Sequence, residues 1–393
     1  MSDHRHFPEE LQIEILKRLP VKPLIRFTAV SKSWYFIITS PAFISAHRRH
    51  HRNGNSATNL LLLLRRYDKS CKEEKYSVLN DTDHQSLTLS NSIELSFPIS
   101  CGIGYFRTVG FYNGVVCLSD DYFNDWHTIT LWNPSIQKLR TLPSPSIRPT
   151  YPFRFVLGFG ASPRSDYDLK VVRVVYERKG VHLDKCRIPP EVEIYSLSTG
   201  LWRKIAATGV NYYMVDYIWT QVFVNGAVHW IGYKLLEDER FQSLIAVFTM
   251  ADELFDEIML PDELAAENPS NLSIMVFEEL VAVVKYSREL HGGSCELWIM
   301  KEYGVLDSWT RLHTIELVGG MEKIVGFRKN GELLLCTNKS ELVSYCPNTR
   351  VINDLGIPGN SRSFYVDKYL ESLVLLQQQN HLVDGLYDEI RNL

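Results

Sequence analysis

The apolar positions change their period near residue 58. Upstream, Leu11, Ile15, Leu16 and Leu19 recur at helical spacing, with Glu9, Glu10, Glu14, Lys17 and Arg18 on the other faces. Pro8 suits a first helical turn, the early glutamates complement the positive end of the helix, and Pro20 stops it. A second short helix is predicted around Leu24, Ile25 and Phe27. A third starts near Ser31, carries Trp34, Ile37 and Ile38, and ends before Pro41. These three helices make a first unit over residues 1–46. His47 to Arg52, followed by Asn-Gly-Asn-Ser, reads as a basic and polar linker over 47–58.

Downstream, short Val/Ile/Tyr/Trp-rich runs alternate with turn signals, the pattern of many short strands. Five segments align: LWNPSIQKLRTL at 131–142, IYSLSTGLWRKI at 194–205, VFTMADELFDEI at 247–258, SYCPNTRVINDL at 344–355, and the longer LWIMKEYGVLDSWTRL at 297–312. Each opens on an aromatic: Trp132, Tyr195, Phe248, Tyr345 and Trp298. A second apolar anchor follows: Leu139, Trp202, Phe255, Ile352 and, in the longer copy, Trp309. Each segment is predicted to be a hairpin with both anchors in one layer. Asn113–Gly114, Asn225–Gly226 and Asn330–Gly331 mark further turns, each leading into an apolar strand. A period near 50 residues, with four strands per unit, predicts an all-β, kelch-like propeller of about six blades over 59–376. Closure removes exposed strand edges, and a strand near Leu60–Leu64 is expected to pair with one near Leu373–Leu376. The tail 377–393 is expected to be peripheral.

Charge separates the two units. The 393-residue chain carries a net −4. Residues 1–52 hold nine Lys/Arg against four Asp/Glu, a net +5, so the remainder is −9. That balance argues against a nucleic-acid partner for the whole protein. The run His47–Arg52 could serve nuclear import or touch nucleic acid, but a solvated linker is favoured. No apolar run is long enough for a membrane span, and no signal-peptide core is expected ahead of the first helix. Seven scattered cysteines, with no Cys-x-x-Cys, read as reduced thiols without a zinc framework.

Candidate chemistry is thin. No catalytic residue, metal or cofactor is expected. Asp120 to Asp125 lacks the spacing of a calcium loop and reads as a solvated hairpin tip. Gly102-x-Gly104 and Gly158-x-Gly160 lack the third glycine of a dinucleotide loop and read as turns. Tyr212, Tyr213, Tyr217 and Trp219 form an aromatic group expected mainly in blade cores, with loop members available to a partner.

The N-terminal pattern is the most specific. It runs Phe7-Pro8-Glu9-Glu10-Leu11, Ile15-Leu16, Leu19-Pro20-Val21-Lys22-Pro23-Leu24, Arg26-Phe27 and Val30-Ser31-Lys32-Ser33-Trp34. It resembles the F-box, the module that docks a substrate receptor on the Skp adaptor of a cullin-based ubiquitin ligase. Phe7 stands where that family usually has Leu, and Ser31 where many members have Cys. Downstream, Asn113-Gly114-Val115-Val116-Cys117-Leu118, Leu131-Trp132-Asn133-Pro134, Leu157-Gly158-Phe159-Gly160, the DLKVV run at 168–172, Val192–Ser196 and Leu297–Gly304 resemble the plant F-box-associated, kelch-like family, with the pollen S-locus F-box proteins as a similar subgroup.

The resemblance implies a non-catalytic substrate-recognition subunit of a Skp–cullin–F-box ligase, cytoplasmic or also nuclear. Pro8, Leu11, Ile15, Leu16, Leu19, Pro20, Leu24 and Val30 would face the adaptor or support that face. The adaptor would bring the cullin and its RING protein. The propeller would take a protein substrate, a basic one such as a ribonuclease in the S-locus case, and no nucleic acid or membrane. Physical reasoning points the same way, since forty residues cannot bury a core alone and an uncovered apolar face marks an interface. Three alternatives compete: a helical cap folded onto the propeller with its apolar residues internal, an adaptor-binding protein that delivers no substrate, and a kelch-type metal oxidase.

Overall fold

Six small antiparallel sheets follow one another along the chain from residue 60, and the last strand returns to complete the first sheet. This computed structural model describes residues 8–54, 60–82, 87–97, 106–120, 128–148, 153–177, 188–215, 221–237, 240–289, 292–317, 320–361 and 363–376. The sheets are the blades of a propeller. Blade 1 joins Leu60–Asp68, Glu73–Asp81 and Ile93–Leu95 to the closing strand Tyr365–Tyr369. Blades 2 to 6 occupy residues 107–141, 153–205, 213–259, 272–316 and 321–358.

The five aligned segments are the third and fourth strands of blades 2 to 6. Their anchors lie directly opposite in four copies: Trp132 with Leu139, Tyr195 with Trp202, Phe248 with Phe255, and Tyr345 with Ile352. In the longer copy the register shifts after Leu297, so Trp309 faces Met300 and Trp298 faces Arg311. The first anchors are all buried, with Trp132, Tyr195 and Phe248 wholly so. The second anchors are unequal. Trp309 is buried, Leu139, Trp202 and Phe255 are half-buried, and Ile352 is exposed. They sit on the outermost strand, where neighbouring blades diverge and a side chain is covered from one side.

Asn113–Gly114 and Asn225–Gly226 both have positive φ at each residue (51° and 77°, 52° and 75°), the mirror-image turn that matches strand twist. The third pair differs, because Gly331 at 81° takes that conformation and Asn330 does not. Gly158 and Gly160 are not turn residues. They lie inside the strand Phe153–Ser162, where a Cβ would come within 2.4 Å of the Trp230 ring and 2.3 Å of the Phe223 ring. The glycines serve close packing between blades 3 and 4.

Ring closure also differs from the expectation. Leu60–Asp68 pairs with Tyr365–Tyr369, matching Leu61 to Tyr369 and Arg65 to Tyr365, and not with 373–376. Leu373, Val374 and Leu375 are apolar for another reason: they are buried in a cluster shared with the N-terminal helices. Residues 377–393 lie outside the described residues.

Four helices precede the propeller: α1 (Glu9–Leu16), α2 (Val21–Phe27), α3 (Lys32–Thr39) and α4 (Pro41–Gly54). The first three match the expected set. The fourth runs through His47–Arg52, which the sequence reading assigned to a linker. His47 and Arg48 are buried while Arg49 and His50 are exposed, so the basic run wraps around a packed helix with only part of it turned inward. α4 rests on the strand Ser165–Glu177 of blade 3.

Candidate adaptor-docking site

Each helix of the N-terminal unit is started by a local device. Pro8 and Pro20 occupy the N-cap positions of α1 and α2. Ser31 caps α3, its hydroxyl accepting from Trp34 N at 3.1 Å, and Ser40 Oγ accepts from Phe43 N at 3.2 Å at the start of α4. Cross-links then fix the helices. Trp34 Nε1 donates to Gln12 Oε1 at 2.9 Å, tying α3 to α1, and the Phe27 and Trp34 rings lie 5.2 Å apart. His47 Nε2 bonds the Leu19 carbonyl at 2.8 Å. Burial pushes the His47 imidazole down to about 4, so it is neutral at physiological pH.

These constraints divide the apolar residues into two sets. Leu16, Val21, Leu24, Ile37, Ile38, Phe43 and Ile44 are buried in one cluster with residues of blades 2 and 3 and with Leu373–Leu375. Leu11, Ile15, Val30, Tyr35 and Phe36 face solvent, from 48% exposed at Tyr35 to 68% at Phe36. Ile15 and Leu16 show the split at its sharpest. Adjacent positions on a helix point about 100° apart, and one is 53% exposed while the other is 1%. Leu11 and Ile15, four residues apart, share the outward stripe.

The residues predicted for docking therefore fall in three places. Leu11, Ile15 and Val30 are outward, as are Pro8 and Pro20 at the helix starts. Leu19 is half-buried against the cluster. Leu16 and Leu24 are inside, behind the outward side chains. Sequence reasoning missed Tyr35 and Phe36. In the run Trp34-Tyr35-Phe36-Ile37-Ile38 every residue is apolar, so the sequence does not say which two the core takes. Glu14, held with Lys17 at 2.5 Å, and Arg18 supply charge beside the outward stripe of α1, and the lysine holds the Glu14 carboxyl below its usual range.

Most of the longer connections of the propeller lie at one end, the exception being the third-to-fourth connection of blade 5 between Met300 and Trp309. In an up-and-down blade, the first-to-second and third-to-fourth turns share one end, while the second-to-third and blade-to-blade connections share the other. The segment after the closing strand touches the turns at Gly114 and at Asn133–Ser135, so the helices sit at the tight-turn end. At the open end, buried ion pairs hold two blade-to-blade connections. Arg65 pairs with Glu74, Arg65 also donates to Phe106 O at 2.6 Å, and Glu74 accepts from Phe106 N at 3.2 Å. Arg173 pairs with Glu193 at 2.7 Å, and Glu193 accepts from Ser146 N at 2.7 Å and Ile147 N at 3.0 Å. Both pairs satisfy buried charge and fix loop backbone in one step.

An aromatic row lies at the same end. The Arg154 guanidinium sits 5.4 Å over both the Tyr176 and Tyr213 rings, and Tyr213, Tyr233 and Phe241 continue at spacings of 5.4 and 5.5 Å. Phe241 is exposed and Tyr213 and Tyr233 are half-buried. Tyr212 points inward, its hydroxyl donating to Asp256 O at 3.1 Å. Tyr217, Trp219 and Asp121–Asp125 lie outside the described residues. Among the described residues no group of three or more His, Cys, Asp or Glu is placed to hold a metal ion, and no helix is long and apolar enough to cross a membrane.

Comparison with known proteins bears on both units. A model of the F-box domain matches residues 5–45, and a model of the F-box associated beta propeller domain matches residues 105–374. The chain is 27% identical over 390 residues to F-box protein CPR1 of Arabidopsis thaliana, covering 94% of this chain and 88% of that one. It is 25% identical over 377 residues to the Arabidopsis F-box/kelch-repeat protein At3g23880, covering 89% and 95%. Among solved structures, TolB from Acinetobacter baumannii aligns with a TM-score of 0.40 at 11% identity, covering 83% of this chain and 72% of that one, a likeness too loose to carry any argument. With helices over the first match and six blades around the second, this chain belongs to the F-box proteins that carry an F-box-associated β-propeller.

Proposed function

We propose that the chain is the substrate-recognition subunit of a Skp–cullin–F-box ubiquitin ligase. An F-box implies a Skp-type adaptor as partner, and F-box proteins are in general non-catalytic adaptors. The observation that carries the reading is the division of the F-box side chains. One set mounts the helices on the propeller, and Leu11, Ile15, Val30, Tyr35 and Phe36 remain in water. A cap folded onto its own propeller would have no reason to leave them there. Leu11, Ile15 and Val30, with Tyr35 and Phe36, make the apolar contact, while Leu16 and Leu24 support it from behind. The open end of the propeller, with its longer connections and the row from Arg154 to Phe241, takes the substrate. The mechanism is proximity, since the receptor raises the effective concentration of a bound protein near a ubiquitin-charged enzyme carried by the cullin.

The likeness to pollen S-locus members names a candidate substrate class, a basic secreted ribonuclease. The −9 balance of residues 53–393 would favour encounter with such a protein. Adaptor binding tests the reading. Ile15→Asp places a charge in the desolvated contact and is expected to weaken adaptor affinity at least a hundredfold by calorimetry while leaving the melting temperature nearly unchanged. Undiminished affinity would refute the docking assignment. Leu16→Asp is the poorer probe, because Leu16 lies in the core and its loss would unfold the helices as well.

A further inference from the structure

The segment that follows ring closure is fixed by blade 2. The buried side-chain amide of Asn133 donates from Nδ2 to two carbonyls at once, Ser372 O at 2.9 Å and Val374 O at 2.7 Å. Its Oδ1 accepts from Ser135 N at 2.9 Å. Ser135 Oγ accepts from Ser372 N at 3.2 Å and shares a 2.9 Å hydrogen bond with the hydroxyl of Tyr369, the last residue of the closing strand. Gly114 makes room for this approach, since a Cβ there would come within 2.3 Å of Ser372 Cβ and 2.7 Å of Leu370 O. From that fixed backbone, Leu373, Val374 and Leu375 enter the cluster that holds Leu16, Val21, Leu24 and Ile37. Glu371 Oε2 accepts from Val21 N, at the start of α2, at 3.4 Å.

We propose that Asn133 is a positioning residue that makes the closed ring the mount of the F-box: its amide holds the Ser372–Val374 backbone against blade 2, and that backbone carries the apolar side chains on which α1, α2 and α3 rest. Closing the ring and orienting the F-box are then one event. For a receptor acting by proximity the consequence is direct, because a swivelling F-box would spread the distances between adaptor and substrate and dilute the effective concentration. That consequence rests on the ligase reading; the mount itself does not. α4 has its own support on the strand Ser165–Glu177. Loosening is therefore graded, greatest in α2 and least in α4.

The bland role for Asn133 is local, an Asx turn closed by the bond from Ser135 N. Asn133→Asp separates the two, because aspartate keeps the Oδ1 acceptor but sets an oxygen against two carbonyls. Amide hydrogen exchange on the full chain reads the outcome. We expect exchange to quicken roughly tenfold or more over 365–376 and in α2, less in α4, with blades 4 to 6 unchanged. Quickening confined to 133–137, or to 365–376 with α2 as protected as before, would overturn the proposal. If blades 4 to 6 lose protection as well, Ser135→Ala takes the place of the aspartate variant, and the same two patterns decide at smaller amplitude. Adaptor affinity measured in parallel keeps this apart from the docking reading, which is refuted by undiminished affinity in Ile15→Asp and does not depend on the Asn133→Asp result.

Discussion

The F-box helices and the propeller blades are built from similar proportions of apolar residues and use them differently. In blade 2, Val115–Ser119 and Ile129–Asn133 are buried at every position, as is Leu333–Thr337 in blade 6. In α1, Leu16 alone is buried. A closed ring gives every sheet a neighbouring blade on each face and leaves only the innermost and outermost strand of each blade as edges, so most of its hydrophobic surface is covered internally. Three short helices and part of a fourth cannot enclose a core. They borrow one face from the propeller and leave another in water. The difference teaches where each region takes its stability. The propeller stabilises itself, the F-box is stabilised by the propeller, and the surplus apolar surface is left for a partner.

The sharpest way to break that comparison is in the blades. Trp132 is wholly buried against Tyr76 at 4.9 Å and Phe97 at 5.0 Å, bridging blades 2 and 1. Trp132→Ala should cost about 3–5 kcal/mol by chemical denaturation, and a loss below about 1 kcal/mol would mean that the ring does not depend on its inner anchors.

Acid should act next, and on both regions. His47 at the F-box junction and His229 in blade 4 are each pushed down to about 4 by burial. The unfolded chain takes up these protons near 6.5 and the folded chain only near 4. Stability is therefore full above about 6.5 and falls as pH drops toward 4, by up to about 3 kcal/mol per histidine. His47→Gln should flatten part of that slope in pH-dependent melts; an unchanged slope would show that His47 is not held neutral at the junction.

The smallest effect concerns the outer strand. Trp202 is half-buried, with Nε1 donating to Pro143 O at 2.7 Å. Trp202→Ala should cost about 1–2 kcal/mol. A cost equal to that of Trp132→Ala would erase the distinction between inner and outer anchors.

Much of this was legible because it is local. The paired apolar anchors, an aromatic opening each hairpin, placed the third and fourth strands of five blades, and the turn chemistry at Asn113–Gly114 and Asn225–Gly226 placed an earlier hairpin in blades 2 and 4. The residues expected at the docking face were named as one set and could not be sorted into exposed and buried members, since Ile15 and Leu16 are equally apolar and differ in what lies behind them. α4 was hidden by its polarity. His-Arg-Arg-His-His-Arg looks solvated until Phe43, Ile44, His47 and Arg48 are seen to share the face turned inward.

By itself the sequence determined that a short helical unit precedes a ring of small antiparallel blades, because helical period, strand alternation and positive-φ turns act over a few residues each. The tertiary structure alone decided which strand closes the ring, why Leu373–Leu375 are apolar, which half of the F-box side chains stays in water, and that Asn133 reaches a segment some 240 residues away. Those outcomes depend on which surfaces meet across long stretches of chain, and apolar content says that a residue will be covered without saying by what.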